Sequence, residues 1–226
     1  ILDINLVSNL CIQYESLFHS DTVQTVGHYK LDLSSLKIDF LVASAHKFHG
    51  PKGIGFAYIN KKNPIKPLIF GGSQEKGCRA GTESVHNIIG MSDALDISMD
   101  KIEAETKYIK KLKSYFIDQL KDNIKGIKFN GASSDLEHST YTLVNVRFPI
   151  IKEESALFLF QLDMKGIACS KGSACQSGAD SGSHVLNNVL SEEENKFVSL
   201  RFSFSIYNTI EEVDYVISEL KELINK

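Results

Sequence analysis

The chain has 226 residues, of which 42% are hydrophobic, and its 25 basic and 28 acidic side chains give a net charge of −3. A chain of this length can bury one large or two small cores, and its near-neutral charge gives no reason to expect nucleic acid or an anionic membrane as a partner. No stretch is long and apolar enough for a membrane span, no signal peptide is visible, and the four cysteines form no CxxC pair, so we expect a cytoplasmic protein with free thiols.

The first part of the chain alternates helical and extended patterns. Apolar residues recur at helical spacing over residues 4–14, and short apolar runs at 17–19, 39–45 and 55–59 predict strands. Residues 61–67 are polar and contain proline, which is typical of a turn. Strands that alternate with helices favour a mostly parallel sheet covered by helices, so the predicted fold class is α/β.

The second part begins with a long helical pattern over residues 83–123. Its apolar stripe predicts a face packed on a core, and comprises Ile97, Ile102, Tyr108, Leu112, Tyr115, Phe116 and Leu120. The remaining pattern predicts strands at 127–130, 142–148, 167–169 and 199–205 and helices at 153–162 and 209–224. Thr209 is a suitable N-cap for the last helix. We therefore expect two domains, at residues 1–100 and 101–226, the second a small α+β domain.

A lysine follows the second predicted strand, inside a turn rich in small residues. Lys47 lies in the run SAHKFHGPKGIG at residues 44–55. A lysine in such a turn can be partly desolvated, which leaves a nucleophilic amine able to form a Schiff base with a carbonyl. For a lone lysine, a surface position beside a turn is the alternative interpretation. Ser44 and His46 are suitable hydrogen-bond donors to a phosphate, and structural roles in the sharp turn are expected of Gly50, Gly53 and Gly55.

Two residues of the second part, Cys175 and Arg201, could also carry chemistry. Cys175 lies among small, polar and glycine residues, a setting in which a thiol can be deprotonated and can move. Cys169 has apolar neighbours and is expected to be structural. Arg201, in a strand of Phe and Ser, could bind a substrate carboxylate bidentately or form a structural salt bridge. A zinc site of Cys169, Cys175 and His184 is disfavoured because spacings of six and nine residues match no compact zinc pattern.

Five sequence blocks, in this order, resemble the class V aminotransferase superfamily and most of all the cysteine desulfurases. They are FHSDTVQ at 18–24, SAHKFHGPKGIG at 44–55, GGSQEKGCRAGTE at 71–83, GSAC at 172–175 and LRFSFS at 200–205. The resemblance covers essentially the whole chain, but members of the family are about twice as long. It therefore implies the C-terminal portion of a pyridoxal-phosphate fold-type I enzyme. Residues 1–100 would be the end of its large domain, and the absent N-terminal portion would carry further cofactor and substrate contacts.

The resemblance assigns pyridoxal 5'-phosphate as the cofactor and gives five residues roles in binding it. Lys47 would hold the cofactor covalently, Asp21 would pair with the pyridine nitrogen, and Gln24 would contact the phenolic oxygen. Ser44 and His46 would bind the phosphate. Taken without the resemblance, the favoured interpretation of Asp21 is a loop aspartate that caps a turn.

The same resemblance gives roles to three residues further along the chain. Thr82 would reach the cofactor phosphate of a neighbouring subunit, which implies a homodimer. The alternative for its loop is a surface turn stiffened by an Arg79–Glu83 pair. Arg201 would anchor the substrate carboxylate, and Cys175 would carry sulfur as a persulfide.

The function implied is conversion of L-cysteine to L-alanine, with sulfur passed from Cys175 to an iron–sulfur scaffold or another acceptor such as a tRNA-thiolation protein. Lys47 would act as general base on the substrate.

Two alternatives remain open. Selenocysteine lyase or another class V enzyme shares the lysine, and the relative activity on selenocysteine and cysteine discriminates it. A non-catalytic module for dimerisation or scaffold binding is the other alternative, and its sign is no visible absorbance with added cofactor.

Overall fold

The structure is a computed structural model that describes residues 1–171 and 183–224. The chain divides into two compact units, Leu2–Glu103 and Ala104–Lys226, the latter together with Ile1. Within the described residues, no helix combines the length and the apolar character needed to cross a bilayer.

The first unit contains a helix, α1 (Ile4–Gln13), and a three-stranded sheet with the order β1-β2-β3. The strands are β1 (His19–Asp21), β2 (Phe40–Ser44) and β3 (Gly55–Ile59). The β1 and β2 strands pair in parallel, whereas β2 and β3 pair antiparallel, so these three strands form a mixed sheet. Because β1 and β2 run in the same direction, their carboxyl ends lie at one edge of the sheet.

The first strand lies two residues later than predicted. Leu17 is 65% exposed and only Phe18 is buried, so the expected buried strand at 17–19 is wrong. The Phe18 carbonyl accepts the N–H groups of Asp39 (2.9 Å) and Phe40 (3.0 Å), and regular pairing begins at His19. As a result, Asp21 is itself the last residue of β1.

Two small cores hold this sheet, and both use inward residues of β2. Leu41 packs with Phe18, Leu36 and Ile38, and the partly buried residues Ile4, Val7 and Cys11 of α1 cover this cluster. The second cluster comprises Val26, Ala43, Ala45 and Phe48. Ala45 and Phe48, which flank His46 and Lys47 in sequence, are therefore held in this core.

The second unit contains an antiparallel sheet with the order β4-β5-β6. Its strands are β4 (Lys128–Phe129), β5 (Leu143–Ile151) and β6 (Phe197–Ser203), and its helices are the later part of α2 (Val85–Asn123), α3 (Ser155–Met164), α4 (His184–Val189) and α5 (Ile210–Ile224). One large core fills the unit, with sheet residues Val144, Val146, Phe148, Val198, Leu200 and Phe202 and helix residues Leu112, Phe116, Leu120, Phe158, Leu162, Val213, Ile217 and Leu220.

Several elements of this unit differ from the predictions. Residues 167–169 form no strand, because only Ser170 pairs, in an isolated bridge with Arg201. Ile97 is 55% exposed and does not belong to the buried stripe of α2. The N-cap prediction is confirmed, since Thr209 Oγ1 accepts the N–H of Glu212 at 3.2 Å.

Candidate functional site

The structure brings three of the predicted site residues to one edge of the first unit's sheet. Asp21, the last residue of β1, stands in register with Val42, and Ser44 ends β2 two residues later. A short 3-10 turn, Ala45–Lys47, follows β2 directly. Because the carboxyl ends of parallel neighbouring strands are the usual place for a ligand in α/β sheets, this edge is the candidate cofactor site.

The backbone of Lys47 is fixed from two sides. The Ala45 carbonyl accepts the N–H groups of Phe48 (3.0 Å) and Gly50 (2.9 Å), and Ala45 and Phe48 are 0% and 1% exposed. The Lys47 carbonyl accepts a hydrogen bond from Nε2 of His28 at 2.9 Å. His28 ends the turn that begins after Asp21, so that turn also positions Lys47. The Lys47 side chain itself is only partly buried.

Two glycines allow the close approaches that this turn requires. Gly55 pairs with Ser44, and a Cβ there would overlap the Ala43 carbonyl oxygen. Gly27 has a φ of +81°, and a Cβ there would lie 2.5 Å from Cβ of Phe48. The backbone carrying Asp21 and the backbone carrying Lys47 can thus pack without intervening side chains.

The polar groups at this edge fit the chemistry of a pyridoxal phosphate. Asp21 is exposed, and its Oδ1 accepts the N–H of Val23 at 2.9 Å. Ser44 is partly buried and its side chain makes no capping bond to the turn that follows it. Gln24 and His46 are exposed. A carboxylate, a hydroxyl, an imidazole and an amine are therefore accessible where the cofactor would need a ring-nitrogen partner, phosphate donors and an amine.

Thr82 lies at the end of a loop that closes on itself. Gln74 Oε1 accepts the N–H of Gly81 at 3.1 Å, and Glu75 and Lys76 both adopt left-handed φ angles of 47° and 54°. Left-handed backbone in two consecutive non-glycine residues is uncommon and is a feature of turns held by their surroundings. The Thr82 side chain is exposed.

The alternative interpretation of this loop, an Arg79–Glu83 pair, is wrong. Arg79 Nη1 donates instead to the Ala80 carbonyl at 2.6 Å, and Glu83 Oε1 accepts the N–H of Glu75 at 3.3 Å. Arg79 is turned back on its own backbone because Gly81, with a φ of +115°, leaves room for the guanidinium where a Cβ would lie.

In the second unit, Arg201 lies on the face of β6 opposite the core. Its neighbours Leu200 and Phe202 are buried, and Nε of Arg201 is buried with no hydrogen-bond partner among the residues that the structure describes. The described residues include no carboxylate paired with it, so the alternative interpretation, a structural salt bridge, finds no partner in this part of the chain. A buried donor without a partner is rare, and it makes Arg201 a candidate for binding a ligand.

Ser170 and Lys171, the last residues described before Cys175, are both anchored to the second unit. Ser170 exchanges two backbone hydrogen bonds with Arg201, at 2.8 and 3.1 Å. Lys171 Nζ then donates to the hydroxyl of Ser155, a residue that is 3% exposed, at 2.8 Å. Cys175 itself lies outside the described residues. The backbone that precedes it is thus anchored to the strand of Arg201.

Cys169 has the properties of a structural cysteine. Burial raises the pKa of its thiol to about 11, with the Asp163 carboxylate adding to the effect, so the thiol stays protonated at neutral pH.

In the parts of the chain that the structure describes, no group of three or more His, Cys, Asp or Glu side chains is placed to hold a metal ion.

The sequence interpretation missed a polar network beside Arg201. Asn130, Asn145, Arg147 and Glu194 are joined by hydrogen bonds across the outer face of the β4-β5-β6 sheet. The signal was present in β5 and β6, where polar residues alternate with buried apolar ones. Their partners could not be identified from the pattern, because Asn130 and Glu194 lie outside the strands.

Comparisons with known proteins agree with this architecture. The family model described as Aminotransferase class-V matches residues 1–216. A cysteine desulfurase IscS of Dictyoglomus turgidum is 39% identical over 97% of this chain, and one of Clostridium botulinum strain Hall is 38% identical over 97%. Each match covers 55% of the relative, so the chain spans about half the length of the curated relatives it matches.

Solved structures show the same fold. The structure of a NifS-like protein superposes with a TM-score of 0.85 at 33% identity, covering 100% of this chain and 57% of the other. A NifS-like protein from Rickettsia africae gives a TM-score of 0.85 at 29% identity, covering 99% of this chain and 57% of that one. The predicted α/β fold class is thereby confirmed.

Proposed function

Because the chain belongs to the class V aminotransferase family, we propose that the full-length protein is a cysteine desulfurase dependent on pyridoxal 5'-phosphate. The observation that carries the proposal is the delivery of Lys47, from a turn fixed by Ala45 and His28, to the sheet edge where Asp21 ends β1. Relatives named cysteine desulfurase, with identities of 38–39% to this chain, support the same activity.

Each residue at the sheet edge binds a different part of the cofactor. When bound, the cofactor supplies an electron sink for the carbon next to the amino group of the substrate. Asp21 keeps a proton on the ring nitrogen, and Gln24 donates to the phenolic oxygen. Ser44 and His46 donate to the phosphate. Lys47 binds the cofactor and takes the proton from Cα of L-cysteine with its amine.

The second unit supplies the carboxylate anchor and the sulfur carrier. Arg201 binds the substrate carboxylate, a role supported by its unpartnered buried Nε. The thiolate of Cys175 attacks the substrate sulfur. An S–S bond forms as the C–S bond breaks, and a proton replaces sulfur on Cβ, so L-alanine leaves and a persulfide remains on Cys175.

Several further features belong to the same proposal. The protein is a homodimer in which Thr82 contributes to the neighbouring subunit's phosphate site, and the exposure of Thr82 is compatible with that role. Residues 1–100 form the end of the large cofactor domain, and residues 101–226 form the small domain. The persulfide passes to an iron–sulfur scaffold or another acceptor in the cytoplasm.

A comparison of two lysine variants tests the activity. Full-length wild type should release L-alanine from L-cysteine with one persulfide on Cys175, and Lys47→Ala should abolish both. Lys52→Ala, an exposed lysine of the same turn, should behave as wild type. Equal losses in the two variants, or alanine release that persists in Lys47→Ala, would contradict the proposal. Faster turnover of L-selenocysteine without a persulfide on Cys175 would favour a selenocysteine lyase instead.

A further inference from the structure

The outer face of the second unit's sheet carries a row of polar side chains. Residues Val146, Leu200 and Phe202 of β5 and β6 point into the core, so their neighbours in sequence point to the opposite face. This outer face presents Asn145, Arg147, Ser199 and Arg201. Of the four, Arg201 has a buried donor, Nε, for which the described part of the chain supplies no partner.

Asn145 lies directly opposite Arg201 in the register of β5 and β6. Both backbone groups of Arg201 are bonded to Ser170 on its other side, and the Asn145 carbonyl accepts the N–H of Asn130 at 3.0 Å. Asn145 and Arg201 are therefore a non-hydrogen-bonded pair. In such pairs the Cα atoms are about 4.5 Å apart and the side chains approach most closely.

The orientation of the Asn145 carboxamide follows from Arg147. A guanidinium can only donate, and Nη1 of Arg147 lies 3.3 Å from Oδ1 of Asn130, so this amide oxygen must be the acceptor. The other end of Asn130, Nδ2, is then a donor, and it contacts Oδ1 of Asn145 at 2.7 Å and Oγ of Ser199 at 2.9 Å. The Asn145 oxygen is engaged by Asn130, so its amide N–H groups remain for the other side.

Glu194 neutralises Arg147 but not Arg201. Its Oε1 lies 2.7 Å from Nη2 of Arg147, whose side chain is 11% exposed. Hydrogen bonds from Ser191, together with Arg147, lower the pKa of the Glu194 carboxyl to about 2, so it stays ionised. The pair fixes Asn130 at one end of the row, and at the other end no carboxylate of residues 1–171 or 183–224 forms an ion pair with Arg201.

We propose that Asn145 is a second donor for the carboxylate bound at Arg201, and that Asn130 is the residue that positions it. One carboxylate oxygen accepts from Arg201 and the other from Nδ2 of Asn145. Because both groups only donate, the site selects a carboxylate over an uncharged amide or ester, which offers fewer acceptor positions and no charge. The inference rests on the proposed role of Arg201 as substrate anchor.

The test uses the Nε–Hε resonance of Arg201 in the full-length protein, identified by its loss in Arg201→Lys. Propionate should shift this resonance in wild type, and propionamide should not. Asn145→Ala should weaken propionate binding about tenfold, as expected for one hydrogen bond to a charged group. Asn145→Asp should abolish the response, because its carboxylate pairs with Arg201 and occupies the site. Asn123→Asp adds the same charge at the end of α2, where Lys221 donates to Asn123 Oδ1 at 3.0 Å, and should bind as wild type.

The outcomes separate the two claims. A wild-type response that persists unchanged in both Asn145 variants would overturn the role of Asn145 and leave Arg201 as the anchor. No response in wild type would overturn the role of Arg201, and the proposal for Asn145 with it. Equal weakening by Asn145→Asp and Asn123→Asp would attribute the effect to net charge and would also overturn the proposal.

Discussion

Replacing Lys113 by methionine should remove a pH-dependent part of the protein's stability. Lys113 is 0% exposed, and its Nζ donates to Oγ of Ser139 (2.7 Å) and to the Thr140 carbonyl (2.8 Å). Burial lowers its pKa from 10.5 to about 8, and the nearby Lys110 adds to the effect while Asp135 partly opposes it. The folded chain therefore gives up the Lys113 proton at a lower pH than the unfolded chain does.

The size of the effect follows from the two pKa values. Between pH 8 and pH 10.5 the unfolded chain binds more protons at Lys113 than the folded chain, so the free energy of unfolding rises with pH across this window. At about 1.36 kcal/mol for each pKa unit, the full rise is about 3 kcal/mol. Below and above this window, Lys113 contributes no slope.

Urea denaturation followed by circular dichroism at pH 7, 8, 9 and 10 measures this rise. Relative to its value at pH 7, the difference in unfolding free energy between wild type and Lys113→Met should rise by about 2.5 kcal/mol at pH 10, because all other titrating groups cancel in the difference. Lys111→Met, an exposed position on the same helix, should run parallel to wild type. A constant difference between wild type and Lys113→Met would refute the reasoning.

Three further predictions concern packing, reactivity and acid stability. Gly55→Ala should destabilise the protein by about 3 kcal/mol in thermal unfolding, because the new Cβ overlaps the Ala43 carbonyl. Iodoacetamide at pH 7.5 should label Cys175 while Cys169, whose pKa is about 11, stays unmodified by mass spectrometry. Glu194→Gln should flatten the loss of stability as pH falls from 4.5 towards 2, since the low pKa of Glu194 stabilises the folded chain above that range.

Matched controls separate these effects from general damage. Gly53→Ala should cost only about 1 kcal/mol, because its φ of +82° is the single penalty and no atom lies within 4 Å of the new Cβ. A similar loss at both glycines would contradict the overlap at Gly55. Chain unfolded in urea should label at Cys169, and Glu192→Gln, which removes an exposed carboxylate two residues from Glu194, should not flatten the acid profile. Labelling of folded Cys169, or equal acid profiles for both Glu variants, would contradict the other two predictions.

The elements around Lys47 could be predicted because local signals agree there. The predicted strand at 55–59 matches β3 (Gly55–Ile59), and the run at 39–45 encloses β2 (Phe40–Ser44). In both, an apolar strand is bounded by glycine or by small residues that mark its end. Placement of Lys47 directly after a strand therefore follows from the sequence alone.

Predictions made from apolar character were wrong where the apolar residues are exposed or do not pair with a neighbouring strand. Leu17 and Ile97 are apolar but more than half exposed, so they marked neither a buried strand nor a buried helix face. The composition of residues 167–169 predicted a strand, yet only the next residue, Ser170, pairs with another strand, in an isolated bridge to Arg201. Where a strand begins and ends depends on its register with a neighbouring strand, and the local composition of one segment gives no information on that register.

The buried polar groups could not be predicted, because their partners are distant in sequence. Lys113 lies in a helix otherwise rich in exposed lysines, and the groups that bind it come 26 and 27 residues later. Asn130 joins Asn145 and Ser199, which are 15 and 69 residues away. The fold brings these residues together, and only then does a polar side chain become a candidate for burial or for a ligand.

Borohydride reduction of the full-length protein after incubation with pyridoxal 5'-phosphate tests the central claim most directly. Peptide mapping by mass spectrometry should place the pyridoxyl group on Lys47, with the exposed Lys52 five residues away unmodified. A pyridoxyl group on any other lysine, or no incorporation at all, would contradict the account of Lys47 as the residue that holds the cofactor.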